Sequence, residues 1–294
     1  MDRRALVISG GGSKGAFAGG ICHYLLKEKN YDYDLMLGTS TGALILPFVA
    51  LDNTERLFNA YVSITQNDIF RVSPFIIRED GEVSINHWNT IRMFARGSAT
   101  FGDSTPLLHL IRRLFPPADY EKILYSGKEI VVAVSNLSLR RVEYKSIRDY
   151  DYEQFTEWMW ASANFLPFMS LYEKNGYFYG DGGFTSYIPI QQAIRMGAAH
   201  VDAVILQPKK REWDVRPITN PFILLLELSD TMMHRIYKTD VKLGQLQAGA
   251  FDVHLRLFYT PYELTANPLV FDAQKMKQWW ELGYQTARQQ LADS

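Results

Sequence analysis

The stretch Leu35-Met36-Leu37-Gly38-Thr39-Ser40-Thr41-Gly42-Ala43-Leu44-Ile45-Leu46 decides the fold. A short apolar run leads into glycines and then into a second apolar run, which reads as strand, tight turn and helix. The turn has the spacing Gly38-x-Ser40-x-Gly42 of a nucleophile elbow, where glycine lets the chain reverse without a side-chain clash. Such a turn exposes a hydroxyl at a strand end, above the first amides of a helix. The plain alternative is a glycine-rich strand-to-helix connection with no chemistry.

A second unit of the same kind precedes it. Ala5-Leu6-Val7-Ile8-Ser9 reads as a buried strand, followed by Gly10-Gly11-Gly12-Ser13-Lys14-Gly15 and a helix from Ala16 to about Lys29. This loop supports three readings. Gly10-x-Gly12-x-x-Gly15 matches a dinucleotide fingerprint, with Asp32 or Asp34 near the offset of a ribose partner. Gly11-x-Ser13-x-Gly15 repeats the serine pattern, and the bare amides of the glycine run make an anion cradle. No lysine follows Gly15, so a phosphate-binding Walker loop is excluded. A hydrolase uses both units, one for the nucleophile and one for amides that stabilise a tetrahedral intermediate, whereas nucleotide binding has no use for Ser40.

Taken in order, Gly10 to Gly15, Gly38 to Gly42 and Asp181-Gly182-Gly183 resemble the motifs of the patatin-like phospholipases, with Lys14 where that family more often has arginine. Asp103-Ser104-Thr105-Pro106-Leu107 and Ala161-Ser162-Ala163-Asn164-Phe165-Leu166-Pro167 are similar to family segments too. The resemblance is specific from the N-terminus to about residue 205 and looser over 206–294, and we read 1–294 as a single domain. It implies a three-layer α/β/α sandwich around a central, mostly parallel sheet, with a helical insertion over the active site.

The resemblance also implies an activity: cleavage of fatty-acyl esters of phospholipids or lysophospholipids at a membrane surface, through an acyl-enzyme and without a cofactor or metal. Carried over, Ser40 is the nucleophile and Asp181 its base, with no histidine. The amides of Gly10, Gly11, Gly12, Ser13 and Thr41 form the oxyanion hole. Lys14, Gly15, Gly38, Gly42, Gly182 and Gly183 support the motifs, Lys14 by holding the glycine loop or by meeting a phosphate head group. The alternatives are an acyltransferase using the same acyl-enzyme, and a nucleotide-binding protein using the Gly10–Gly15 loop.

Composition agrees with these expectations. The chain has 294 residues, 47% hydrophobic and 21% charged, and a formal net charge of −1, so no strong field invites nucleic acid. Cys22 is the one cysteine, which rules out an internal disulfide and fits a reducing compartment. The apolar run Ala5–Ile8 is too short for a signal-peptide core, and no run approaches the ~18 residues of a membrane span. We therefore expect a soluble, cytoplasmic protein. Six histidines, at 23, 87, 109, 200, 234 and 254, sit in no recognisable motif.

Beyond the motifs, residues 54–125 read as mainly helical, with Phe75, Trp88, Phe94 and Phe101 in a mixed stretch between 70 and 102. Strands are expected at 128–135, 140–146, 177–179, 200–207 and 253–259, and helices at 155–163, 191–196, 220–247 (one long helix or two) and 272–292. The basic stretch from Lys209 to Arg216 reads as a solvated loop, with contact to a phospholipid surface as the alternative.

Overall fold

In the computed structural model, residues 2–77, 83–210, 218, 220–265 and 267–292 are described. The order is β1 (Arg4–Ile8), α1 (Gly15–Lys27), β2 (Leu35–Thr39), α2 (Thr41–Ala50), α3 (Thr54–Ser63), α4 (Gln66–Ile69), β3 (Phe75–Ile77), β4 (Val83–Ile85), α5 (His87–Ala95), α6 (Thr105–Leu114) and α7 (Pro117–Ser126). There follow β5 (Glu129–Asn136), β6 (Arg141–Ser146), α8 (Tyr152–Ser162), β7 (Tyr172–Lys174), β8 (Tyr177–Asp181), α9 (Ile190–Arg195), β9 (His200–Pro208), α10 (Pro221–Ala250), β10 (His254–Thr260) and α11 (Ala273–Ala292).

One mixed sheet runs β10-β9-β1-β2-β5-β8-β7, with β6 also paired to β5. The five strands from β10 to β5 are parallel, and β6, β7 and β8 are antiparallel to their neighbours. Strand side chains alternate between faces, so the sheet divides the core. Leu6, Ile8, Met36, Ile130 and Val132 join one cluster; Ala5, Val7, Leu35, Leu37 and Val131 join the other. The first is covered by α1, α2, α6, α8 and α11, the second by α9 and the later part of α10. Both faces being covered explains why β1 and β2 read as continuous apolar runs.

The expected segment 220–247 is one continuous helix, α10, begun by Asn220, whose side chain accepts from the amides of Phe222 and Ile223. The mixed stretch contains the β3–β4 hairpin and α5; Phe75 is buried there, whereas Trp88 and Phe94 are exposed. Residues 211–216 of the expected basic loop lie outside the described residues, and Lys209 and Lys210 are exposed. Among the described residues no helix is long and apolar enough to cross a membrane.

α11 returns the C-terminal region to the first layer by crossing α1 at glycine-to-backbone contact. A β-carbon on Gly20 would overlap the Trp280 carbonyl oxygen, and one on Gly283 would overlap that of Phe17. Neither helix can retreat without opening the core around Phe17, Met276 and Trp279. Gly20→Leu is therefore expected to cost about 3 kcal/mol or more, read as a lower midpoint in urea denaturation. An unchanged midpoint would mean that this crossing yields more easily than close packing allows.

Candidate active site

β5 sets the geometry of the site. Its residues 129–133 pair with β2, residues 131–136 pair with β6 on the other edge, and residues 134–136 pair with β8. A strand has two edges, so β8 occupies the edge of β5 that β2 leaves free beyond Thr39. Thr39 lies opposite Ala133 and Asp181 opposite Val134. The C-terminal ends of β2 and β8 thus meet head to head, and the residue after Thr39 faces Asp181. The Ser40 hydroxyl stands by the Asp181 carboxylate and favours its ionised form.

Ser40 occupies a backbone conformation that L-residues rarely adopt, φ 55° and ψ −127°, at the cap of α2. Strain of this kind, about 1–3 kcal/mol, persists only where the surroundings enforce it. Three contacts do so here. The Ser40 amide donates to Ser162 Oγ at 2.9 Å, and Ser162 Oγ donates to the Ala133 carbonyl at 2.7 Å. The Ser40 carbonyl accepts from the Ala43 amide at 2.9 Å. Gly42 lets α2 start close against β1, because a β-carbon there would overlap the Ile8 carbonyl oxygen.

Asp181 is buried. Its Oδ1 accepts from the Gly183 amide at 2.8 Å, and its own amide donates to the Asn164 carbonyl at 2.9 Å. Its carbonyl accepts from Ser135 Oγ at 2.7 Å. Burial pushes its carboxyl up to about 6, against the pull of the Ser40 hydroxyl and the Gly183 amide. Asn164 is fixed in turn by Ser104, whose hydroxyl donates to Asn164 Oδ1 at 2.6 Å and whose carbonyl accepts from Trp160 Nε1 at 3.0 Å. The 103–107 and 161–167 segments therefore meet behind the carboxylate.

The glycine loop lies beside Ser40: a β-carbon on Gly10 would stand 3.4 Å from Ser40 Cβ. Its amides divide into two sets. Gly10 donates to the Tyr187 carbonyl at 3.1 Å and Ser13 to the Pro268 carbonyl at 2.8 Å, so both are already engaged. The amides of Gly11, Gly12 and Thr41 have no acceptor among the described residues. Lys14 is buried and its Nζ lies 3.2 Å from Glu263 Oε1, which ties the loop to the segment after β10. Gly182 and Gly183 form the short 3-10 turn that follows Asp181.

Four of the six histidines lie elsewhere. His200 and His254 begin β9 and β10, at the edge of the sheet opposite to Ser40. His23 is bonded to Thr54 Oγ1 at 2.8 Å, and His87 packs against Phe222. Asp34 precedes β2 and accepts from the Arg4 amide, and Asp32 pairs with Lys128. Both stand at the start of β2, whereas a ribose partner belongs at its C-terminal end beside the glycine loop. That end holds Ser40. Among the described residues no group of three or more His, Cys, Asp or Glu side chains is placed to hold a metal.

Ser162, Asn164 and Ser104 fall in stretches that the sequence singles out, but with no role attached. Tyr187, Glu263 and Pro268 carry no sequence signal, since they act through backbone carbonyls or a distant ion pair.

A protein-family model described as patatin-like phospholipase matches residues 6–194. Among solved structures, the crystal structure of VipD from Legionella pneumophila matches at 11% sequence identity and a TM-score of 0.46, covering 99% of this chain and 67% of that one. No curated protein sequence matches significantly.

Proposed function

The chain belongs to the patatin-like phospholipase family, and on that premise we propose that it hydrolyses fatty-acyl esters of phospholipids or lysophospholipids through a Ser40–Asp181 dyad. The observation that carries this reading is the Ser40 hydroxyl set beside a buried carboxylate that is raised to about 6. A free aspartate, near 3.9, is a poor base at neutral pH; one near 6 accepts a hydroxyl proton more readily and is still ionised at pH 7.

Ser40 Oγ attacks the ester carbonyl while its proton passes to Asp181. The carbonyl oxygen becomes an oxyanion, and the open amides of Gly11, Gly12 and Thr41 are the donors available to it. The carbonyl re-forms as the ester C–O bond breaks, and the alcohol leaves with the proton from Asp181. Water then attacks the acyl-enzyme, giving its proton to Asp181, and the fatty acid and free Ser40 are released. Gly10 and Ser13, whose amides are engaged, hold the loop in place, as does Lys14 through Glu263.

The test is to incubate the protein with diacyl phospholipids and lysophospholipids and to measure released fatty acid, alongside labelling by a fluorophosphonate probe. Fatty acid release and a label that disappears in Ser40→Ala but persists in Ser13→Ala are expected. A label that survives Ser40→Ala, or no acyl release from any substrate, would remove the reading. Acyl chains appearing on added glycerol in place of free acid would favour an acyltransferase.

A further inference from the structure

The first half of α10 carries the apolar run Phe222–Leu226 followed by Leu228, Met232 and Met233, interrupted by Glu227, Asp230 and Arg235, yet none of residues 221–236 is buried. The first buried residue of the helix is Tyr237. Apolar side chains grouped in this way on an exposed stretch are normally enclosed by protein or by lipid.

Its place in the fold identifies the enclosure. Phe222, Leu225 and Leu226 lean on the core of the α1 face, whereas Tyr237, Val241 and Ala248 belong to the core of the α9 face. α10 therefore rounds the edge of the sheet that carries Ser40 and Asp181. A β-carbon on Gly183 would stand 3.0 Å from Met233 Cε and 3.1 Å from Asp181 Oδ1, so this part of the helix lies beside the carboxylate. On its outer side Leu224, Leu228 and Met232 follow one another at one-turn intervals and are exposed.

α5 adjoins this stretch. The Phe222 ring meets Phe101 at 5.1 Å and His87 at 5.8 Å, and Phe94 meets Phe101 at 5.7 Å. α5 turns Trp88, Ile91 and Phe94 outward, Trp88 with 82% of its surface exposed. The next turns of α10 expose Arg235, Lys238 and Lys242. Lys238 Nζ donates to the Lys209 carbonyl, which brings exposed Lys209 and Lys210 alongside. Asp240 is turned inward onto the Ile188 amide.

We infer that the apolar tip formed by α5 and the first half of α10 docks on an anionic lipid bilayer, with Arg235, Lys238 and Lys242 on its head groups. The inference rests on the proposed hydrolase reading, since it places the bilayer at the edge where the ester must enter. Lipid is favoured over a second copy of the chain by charge. Anionic head groups neutralise the cations flanking the tip, which outnumber Glu227 and Asp230 within it, whereas a second copy on the same face brings a second set of them.

The test uses Ser40→Ala protein sedimented with vesicles of phosphatidylcholine, alone or mixed with phosphatidylglycerol. Binding is expected, and stronger to the mixed vesicles. Adding Trp88→Glu and Leu228→Glu should weaken partition to both by roughly tenfold or more, and adding Lys238→Glu and Lys242→Glu should weaken it mainly to the anionic ones. With Ser40 intact, Trp88→Glu/Leu228→Glu should hydrolyse a soluble short-chain ester at the wild-type rate and vesicle lipid roughly tenfold more slowly. Failure of the parent to bind, or unchanged partition in the Trp88→Glu/Leu228→Glu variant, would overturn the inference. So would a dimer in sedimentation equilibrium that Leu228→Glu disperses, which would assign the face to a second copy. Failure of the hydrolase reading shows separately, as wild-type protein inert on the soluble ester; the binding measurement does not depend on it.

Discussion

Ser40→Ala and Asp181→Asn are each expected to cut acyl-ester hydrolysis by roughly three to four orders of magnitude, with the double variant losing no more than either alone. The reason is that the two side chains act as one unit. The Ser40 hydroxyl stands by the Asp181 carboxylate, and among the described residues no hydrogen bond joins a histidine to either. A nucleophile without its base, or a base without its nucleophile, leaves only the stabilisation supplied by the loop amides. Single-turnover rates on a soluble ester would measure this. Multiplicative losses in the double variant would mean that the residues work independently, and near-wild-type turnover by Asp181→Asn would remove the aspartate from the chemistry. The same pairing sets the pH profile. Asp181 must be ionised to take the proton, so kcat/KM should fall about tenfold per pH unit below about 6 and be flat above it.

The second large effect is on stability, and its sign is opposite to that on activity. Burial raises the Asp181 carboxyl to about 6 in the folded protein, against about 3.9 in the unfolded chain. Between those values the native state binds more protons than the unfolded one, so this group's contribution falls as pH rises. It is fully present below about pH 4 and lost above about pH 6, a change of about 3 kcal/mol. Asp181→Asn removes the buried charge and keeps an oxygen for the Gly183 amide. The variant should therefore be more stable than wild type by up to about 3 kcal/mol at pH 7 and lose that advantage by pH 4. Asp240 is likewise raised to about 6 by burial and tilts the wild-type curve in the same window, so the comparison must be between variant and wild type at each pH. Denaturant midpoints across pH 4 to 8 would decide it. A variant less stable than wild type at pH 7 would show that the carboxylate's hydrogen bonds outweigh its desolvation.

The α/β alternation and the two strand–glycine–helix units were legible because their signals are local. β1 and β2 are apolar throughout since both faces are covered, and the elbow needs small residues within two positions of Ser40. The three motifs in order were enough to single out Ser40 and Asp181. Within the glycine loop, legibility stopped at residue type. All of its amides look alike in sequence, and only the folded chain divides them, giving Gly10 to Tyr187 and Ser13 to Pro268 while Gly11 and Gly12 find no acceptor among the described residues.

The C-terminal region shows the same boundary. The helix from Asn220 was readable from its apolar run, but its route around the sheet edge was not, because that depends on which core each half meets. The role of Ser162 was equally hidden, since a hydroxyl that braces the strained Ser40 amide is a contact between residues 122 positions apart.

By itself, then, the sequence determined most strands of the central sheet, the elbow and the two side chains proposed to react, all of which depend on neighbours within a few residues. Only the tertiary structure decided that they meet. That follows from the register of β5, whose one edge carries β2 as far as Ala133 and β8 from Val134 onward. Strand pairing over such separations is chosen by burial of whole faces, a property of the assembled sheet that no single stretch of chain contains.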